Sequence, residues 1–268
     1  MITNDCDGAT IETMRQAQEK FEKDYDLPFS ESCWVFSKNG VSLLEYEAGD
    51  DASCKRKQPD YDYVVGLIRR RKIEVLHTWG DFPDGDFNRS MAALGYSLLE
   101  KDQVKFTAWT AHGGVNDLQN LSPLGLGDRE GSDYYHMDYT EKLGIRFFCR
   151  NTDIDVSRPS RRIIVNDRYF KRFRGPTKQE AYVINLQWLP RQIELAEKRS
   201  LWHRPPDTVI LYTHFYSLED EISKSSRPVE EFKVPENADR SLRTLSERRD
   251  RGELEILRLS QVLVSRES

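Results

Sequence analysis

Between Tyr61 and Cys149 the chain alternates short apolar runs with longer amphipathic ones, and this alternation limits the fold more than any other feature. Tyr61 to Arg71 has helical periodicity, and Ile73-Glu74-Val75-Leu76-His77 reads as a buried strand. Phe87 to Lys101 is an amphipathic helix, and Val104 to Thr110 is a second strand. Tyr134 to Leu143 reads as a short helix stopped by Gly144, and Ile145 to Cys149 as the next strand. Strands separated by helices pair in parallel, because a parallel connection needs a long crossover. The expected fold class is α/β, with the sheet closed or nearly closed into a (β/α) barrel, distorted or incomplete.

The flanking segments extend the pattern. Ile11 to Tyr25 reads as a helix within an N-terminal helical extension, residues 1–28. Ser32 to Ser37 is a short aromatic strand ended by the turn chemistry of Lys38-Asn39-Gly40, and Val41 to Tyr46 is another strand. Asp50 to Pro59 and Ser217 to Asn237 are polar loops, and a loop rich in Gly and Asn runs from Ala111 to Ser132. Further strands are expected at Arg162 to Val165, Asp207 to Thr213 and Leu254 to Leu257. Helices are expected at Leu186 to Arg199, at Asp239 to Arg251 and from Ser260. The 268 residues suit a single domain.

Hydrophobic residues at 38% and aromatics at 11% suffice for one core, and a formal charge of -5 argues against a nucleic-acid partner. The basic runs Arg69-Arg70-Arg71-Lys72 and Arg168 to Arg174 read as a solvated helix end and a surface loop. No apolar run approaches the roughly 20 residues of a membrane span, and Met1 to Cys6 has no features of a secretory leader. Cys6, Cys33, Cys54 and Cys149 make no CxxC pair, which suits reduced thiols. The expected location is cytoplasmic, without a membrane partner.

In parallel α/β folds, functional groups gather at the C-terminal ends of strands, where the following loops converge. Three of the five histidines fall at such ends: His77, His112 and His214. His77 and Asp81 lie four apart across a Gly-containing turn, a spacing that presents imidazole and carboxylate to one divalent ion such as zinc. Asp81 serves equally well as a turn or cap residue. Tyr135 and His136 stand at the first turn of the Tyr134 helix, in position to face the same site.

These strand endings resemble those of the polysaccharide deacetylase family, the carbohydrate esterases related to chitooligosaccharide deacetylase. Thr208-Val209-Ile210-Leu211-Tyr212-Thr213-His214 is similar to the family's late strand ending in histidine. Leu242-Arg243-Thr244-Leu245, Gly252-Glu253-Leu254-Glu255-Ile256 and Leu259-Ser260-Gln261-Val262-Leu263 resemble its closing unit. His77-Thr78-Trp79-Gly80-Asp81 resembles the His-x-x-x-His metal motif, with Asp81 in place of the second histidine. Trp109 to Gly114 and Lys142 to Phe148 fall where the family has its central segments, so the likeness spans roughly residues 30 to 265.

The resemblance implies a metal-dependent hydrolase of polysaccharide deacetylase type acting on an N-acylated sugar. A divalent metal, zinc among the candidates, would be held by His77, Asp81 and His112 and would activate water. His214 would act as general acid, and Asp81 or Asp138 would supply the catalytic carboxylate. Backbone amides of Gly113 and Gly114 would hold the oxyanion, and Trp79, Trp109, Tyr135, His136 and Tyr216 would line the substrate site. The family's first motif carries paired aspartates, whereas the strand end assigned to it here, Phe36-Ser37-Lys38-Asn39-Gly40, has no carboxylate. Two alternatives follow: a metal-independent hydrolase of C–N bonds in small amides, and a non-catalytic relative that binds a saccharide or a protein.

Overall fold

The computed structural model describes residues 2–37, 40–45, 57–82, 87–112, 117–122, 125–145, 147–149, 161–164, 180–185, 209–213, 215–216, 231–234 and 236–264. It is a mixed α/β fold whose strand pairs are mostly parallel. In chain order, β1 (Ile2–Asn4), α1 (Ile11–Lys20), a π-helical turn (Phe21–Tyr25), β2 (Phe29–Phe36) and β3 (Ser42–Leu44) lead into α2 (Tyr61–Arg69). Then come β4 (Ile73–His77), α3 (Arg89–Lys101), β5 (Ala108–Thr110), α4 (Met137–Lys142) and β6 (Phe147–Cys149). The chain continues through β7 (Arg161–Ile164), β8 (Glu180–Asn185), β9 (Val209–Thr213), α5 (Glu236–Asp250) and α6 (Leu259–Val264). Residues 6–11 and 31–152 form one compact unit, and residues 2–5, 12–30 and 153–264 belong to another.

The unit of residues 6–11 and 31–152 carries the strand–helix alternation. Its strands run in the order β3, β2, β4, β5, β6, every neighbouring pair parallel. All eight residues of β2 and all five of β4 are buried, as expected for strands covered on both faces. The helices form because each has an apolar stripe to bury. Val64, Val65, Leu67 and Ile68 line that of α2, and Met91, Ala92, Gly95 and Leu99 that of α3. The Asn88 side chain caps α3, its Oδ1 accepting from the N–H groups of Ser90 at 2.9 Å and Met91 at 3.3 Å. At Gly95 a Cβ would meet Trp79, Phe36 and Val35 at 3.0–3.1 Å. The missing side chain is therefore what lets α3 lie so close to the strands.

The other unit has β9 between β1 and β8, both pairs parallel, while β7 pairs with β8 antiparallel. Strand β1 lies within the stretch expected to be a helical extension, and β8 lies in a segment without an expected element. Helix α1 runs into the π-helical turn, which closes at Asp26 with φ of 50°. Helix α5 packs on this turn: Tyr25 Oη donates to Asp239 at 2.6 Å, and Ser246 Oγ donates to the Tyr25 carbonyl at 2.7 Å. Phe21 stacks on Phe29 with ring centroids 3.8 Å apart. Leu254 to Leu257, where a strand is expected, has no regular structure and is at most half-buried. The helix expected at Leu186 to Arg199 lies outside the described residues. Among the described residues no helix is long and apolar enough to cross a membrane.

Candidate metal centre

His77 is the last residue of β4 and is buried, with 1% of its side chain exposed. The strand ends there because Thr78 turns the chain into the left-handed region, at φ of 56°. Two residues on, Gly80 bridges to Phe36, and a Cβ at Gly80 would lie 2.5 Å from the Phe36 carbonyl and 2.6 Å from the Phe82 ring. His112 follows β5 by two residues. The third group comes from residues 6–11. The Cys6 N–H donates to Ser32 Oγ at 3.0 Å, Ala9 N–H closes a turn on the Cys6 carbonyl at 2.8 Å, and Asp7 bridges to Gly40.

These placements bring Asp7, His77 and His112 together, one ligand atom from each lying within 4.8 Å of the others. His77 Nε2 is 3.3 Å from Asp7 Oδ1, and His112 Nε2 is 3.7 Å from Asp7 Oδ2. The indole of Trp34 meets both imidazoles edge-on, at centroid distances of 4.2 Å and 4.6 Å. The two imidazole centroids are 5.2 Å apart. Ligand atoms bound to zinc at roughly 2.0–2.2 Å in a tetrahedron stand about 3.3 Å from one another, so the spacing and the donor types fit such an ion. Two imidazoles and one carboxylate suit zinc, iron or another divalent transition metal better than calcium or magnesium. Trp34 walls one side. His112 and Asp7 keep 25% and 26% of their side-chain surface exposed, so a fourth position stays within reach of solvent.

The remaining residues singled out in the sequence lie as follows. Asp81 sits in the turn after β4, its N–H donating to the Phe36 carbonyl at 3.2 Å, and is not among the grouped ligands. Asp138 accepts two hydrogen bonds of 2.8 Å from the Arg89 guanidinium, which holds its carboxyl below the usual range. Arg89 is itself stacked on Tyr135 and Tyr139, at 5.0 Å and 4.7 Å, so both Asp138 and Tyr135 serve this cluster. Trp79, Trp109 and Tyr216 are fully buried and present no face to a substrate. Gly113, Gly114 and His214 lie outside the described residues. Asp7 escapes a reading of the N-terminus as leader or helix; its signal is Asp5-Cys6-Asp7-Gly8, two acids ahead of a glycine turn.

His136 is a buried structural residue. Its Nε2 donates to the Gln119 carbonyl at 2.7 Å, which assigns the ring proton to that nitrogen. Its Nδ1 then accepts from Thr140 Oγ1 at 2.8 Å, and Thr140 Oγ1 accepts from Trp79 Nε1 at 3.2 Å. Gln119 and Asn120, next to each other, reach the two ligand-bearing strand ends. Gln119 Oε1 accepts from Trp79 N–H at 2.9 Å, and its Nε2 donates to the Gly80 carbonyl at 2.8 Å. Asn120 accepts from the His112 N–H at 3.2 Å and donates to the His112 carbonyl at 2.8 Å.

Burial holds the His136 imidazole far below its ordinary value, at about 4, and its hydrogen bond to Gln119 only partly offsets this. The unfolded chain takes up a proton near pH 6.5 that the folded one refuses until pH 4. Stability is therefore intact above pH 6.5 and falls as pH is lowered through that window. We expect a loss of about 2 kcal/mol between pH 7 and pH 5 from this residue alone. Urea denaturation at both pH values, on the wild type and on His136→Gln, measures it; equal pH slopes in the two proteins would contradict the assignment.

Comparison with family models, curated proteins and solved structures returns no match for this chain, so its functional reading rests on the arrangement of Asp7, His77 and His112.

Proposed function

We propose that this chain is a metal-dependent hydrolase acting on an N-acylated sugar or polysaccharide, on a distorted or incomplete (β/α) barrel of polysaccharide deacetylase type. The observation that carries the reading is the convergence of one carboxylate and two imidazoles, from separate segments, on a point walled by Trp34. The carboxylate missing at Ser37 and Lys38 has a counterpart in Asp7. Asp5 precedes it by two residues in the sequence. This weakens the non-catalytic alternative, whose main support was the lack of such acids.

Asp7, His77 and His112 would hold the ion. Bound there, a divalent metal supplies Lewis-acid activation of water and of a carbonyl oxygen. The chain's own residues do the rest. Trp34 excludes water from one side and fixes both imidazole planes. Asp7 balances positive charge, and Asn120 keeps His112 in register by grasping its backbone. His214 is carried over from the resemblance as the general acid for the leaving amine.

Elemental analysis of purified wild type and His77→Ala, followed by assays on N-acetylated oligosaccharides with and without chelator, tests the proposal. About one transition-metal ion per chain, lost in the variant together with chelator-sensitive deacetylation, is the expected result. Metal-free protein that added zinc does not stabilise would refute it.

A further inference from the structure

Asp117 stands on the far side of His112 from the ligand group, its Oδ2 3.6 Å from His112 Nδ1. That is ion-pair range, longer than a hydrogen bond. The carboxylate is not a loose surface acid. Its Oδ1 accepts from the Gln119 backbone N–H at 3.2 Å, and its Oδ2 accepts from Gln119 Nε2 at 3.2 Å. Gln119 is buried and is tied at the same time to Trp79 and Gly80, just past His77. The acid that faces one imidazole is thus anchored to the strand end that carries the other.

This placement bears on which ring nitrogen of His112 carries the proton. His112 lies between two carboxylates, with Asp7 Oδ2 at 3.7 Å from Nε2 and Asp117 Oδ2 at 3.6 Å from Nδ1. A neutral imidazole has a single N–H to give. To ligate an ion beside Asp7 and His77, His112 must present the Nε2 lone pair, which requires the proton on Nδ1. Asp117 is the group on the Nδ1 side. Outer carboxylates of this kind fix ring orientation and raise ligand basicity at metal sites.

We infer that Asp117 is a positioning residue of the centre, holding His112 as the Nδ1–H tautomer with Nε2 turned toward Asp7. The inference rests on the proposed metal site. Gln119 completes the device, since it sets where Asp117 stands relative to the end of β4.

The test uses Asp117→Asn, whose side-chain oxygen can still accept from the Gln119 N–H and keep the loop closed, with Asp117→Ala as a second variant. Ring ¹⁵N shifts of His112 in metal-free protein at pH 8 report the tautomer directly, and competition with a chromophoric chelator gives the zinc dissociation constant. The expected result is Nδ1–H in the wild type and a mixture or Nε2–H in the variants, with His77 unchanged and zinc affinity weakened about 10- to 100-fold. Thermal melting identifies a variant that has merely lost its fold. An unchanged tautomer and unchanged zinc affinity in both variants would overturn the inference. Wild type that takes up no zinc but shows the Asp117-dependent tautomer would refute the metal reading and leave the hold of Asp117 on His112 established.

Discussion

Asp7→Asn should strip the centre of its ion. Asp7 is the only formal charge among the three grouped ligands, and asparagine keeps the shape and one oxygen while removing that charge. Two neutral imidazoles and an amide are a poor match for a divalent cation in a pocket that is half closed by Trp34. The loss in affinity should exceed the 10- to 100-fold that removal of an outer partner costs. A stability readout makes this quantitative. At zinc one hundred times above its dissociation constant, a bound wild type gains about 2.7 kcal/mol against unfolding, and Asp7→Asn should gain almost none. Because Asp7 keeps 26% of its side chain exposed, the substitution should leave the metal-free melting temperature within a few degrees of wild type. Equal stabilisation of the two proteins by zinc would remove Asp7 from the site.

Gly127→Ala should be among the most damaging single methyl groups in the described part of this unit, alongside Gly125→Ala, whose Cβ would lie 2.2 Å from the Asn120 carbonyl oxygen. A Cβ there runs into the Gln119 carbonyl and comes to 2.5 Å of His136 Nε2, the two atoms that share the 2.7 Å hydrogen bond at the centre of the buried network. Room can be made only by parting them. Overpacking costs about 1–3 kcal/mol, and orphaning a buried donor and acceptor adds about 1–3 kcal/mol, for a total of about 2–6 kcal/mol. Gly131→Ala provides the contrast: φ there is +83° but nothing lies within 4 Å, so only the backbone penalty of about 1 kcal/mol applies. Chemical denaturation of both variants decides. Gly127→Ala should also weaken zinc binding, since Gln119 and Asn120 hold the two ligand-bearing strand ends, and Gly131→Ala should not. If the two glycines prove equivalent, the network does not have the role given to it.

What the sequence made legible was local. The run Ile73 to His77 was readable as a strand to the residue, because its apolar Ile73, Val75 and Leu76 are bounded by a basic turn and by Trp79-Gly80. Helix α3 was readable because its apolar positions repeat at helical spacing. The positions of His77 and His112 at strand ends followed from those elements. What stayed hidden was non-local. Strand β1 has three residues and β8 six, and each exists through pairing with β9, a partner that no neighbouring sequence announces. Asp7 is hidden for the same reason. The carboxylate beside His77 is supplied from far away in the chain, whereas spacing along the sequence favours the nearby Asp81. His136 looked like a site residue because histidine at a helix start is chemically suggestive; only its burial and its two hydrogen bonds reveal a structural part.

Thr78 carries a consequence for how the protein can change over evolutionary time. A β-branched residue held at φ of 56° stores on the order of 1–3 kcal/mol of backbone strain, immediately after a proposed ligand. Glycine and asparagine adopt this geometry with less strain, so mutational drift at this position has an easy downhill direction. Glycine would also loosen the turn that ends β4 and would remove the hydroxyl that donates to the Gly80 carbonyl at 3.3 Å. Position 78 thus sets conformational economy against the fixity of His77, and lineages that retain the chemistry should keep threonine while those that lose it drift toward glycine.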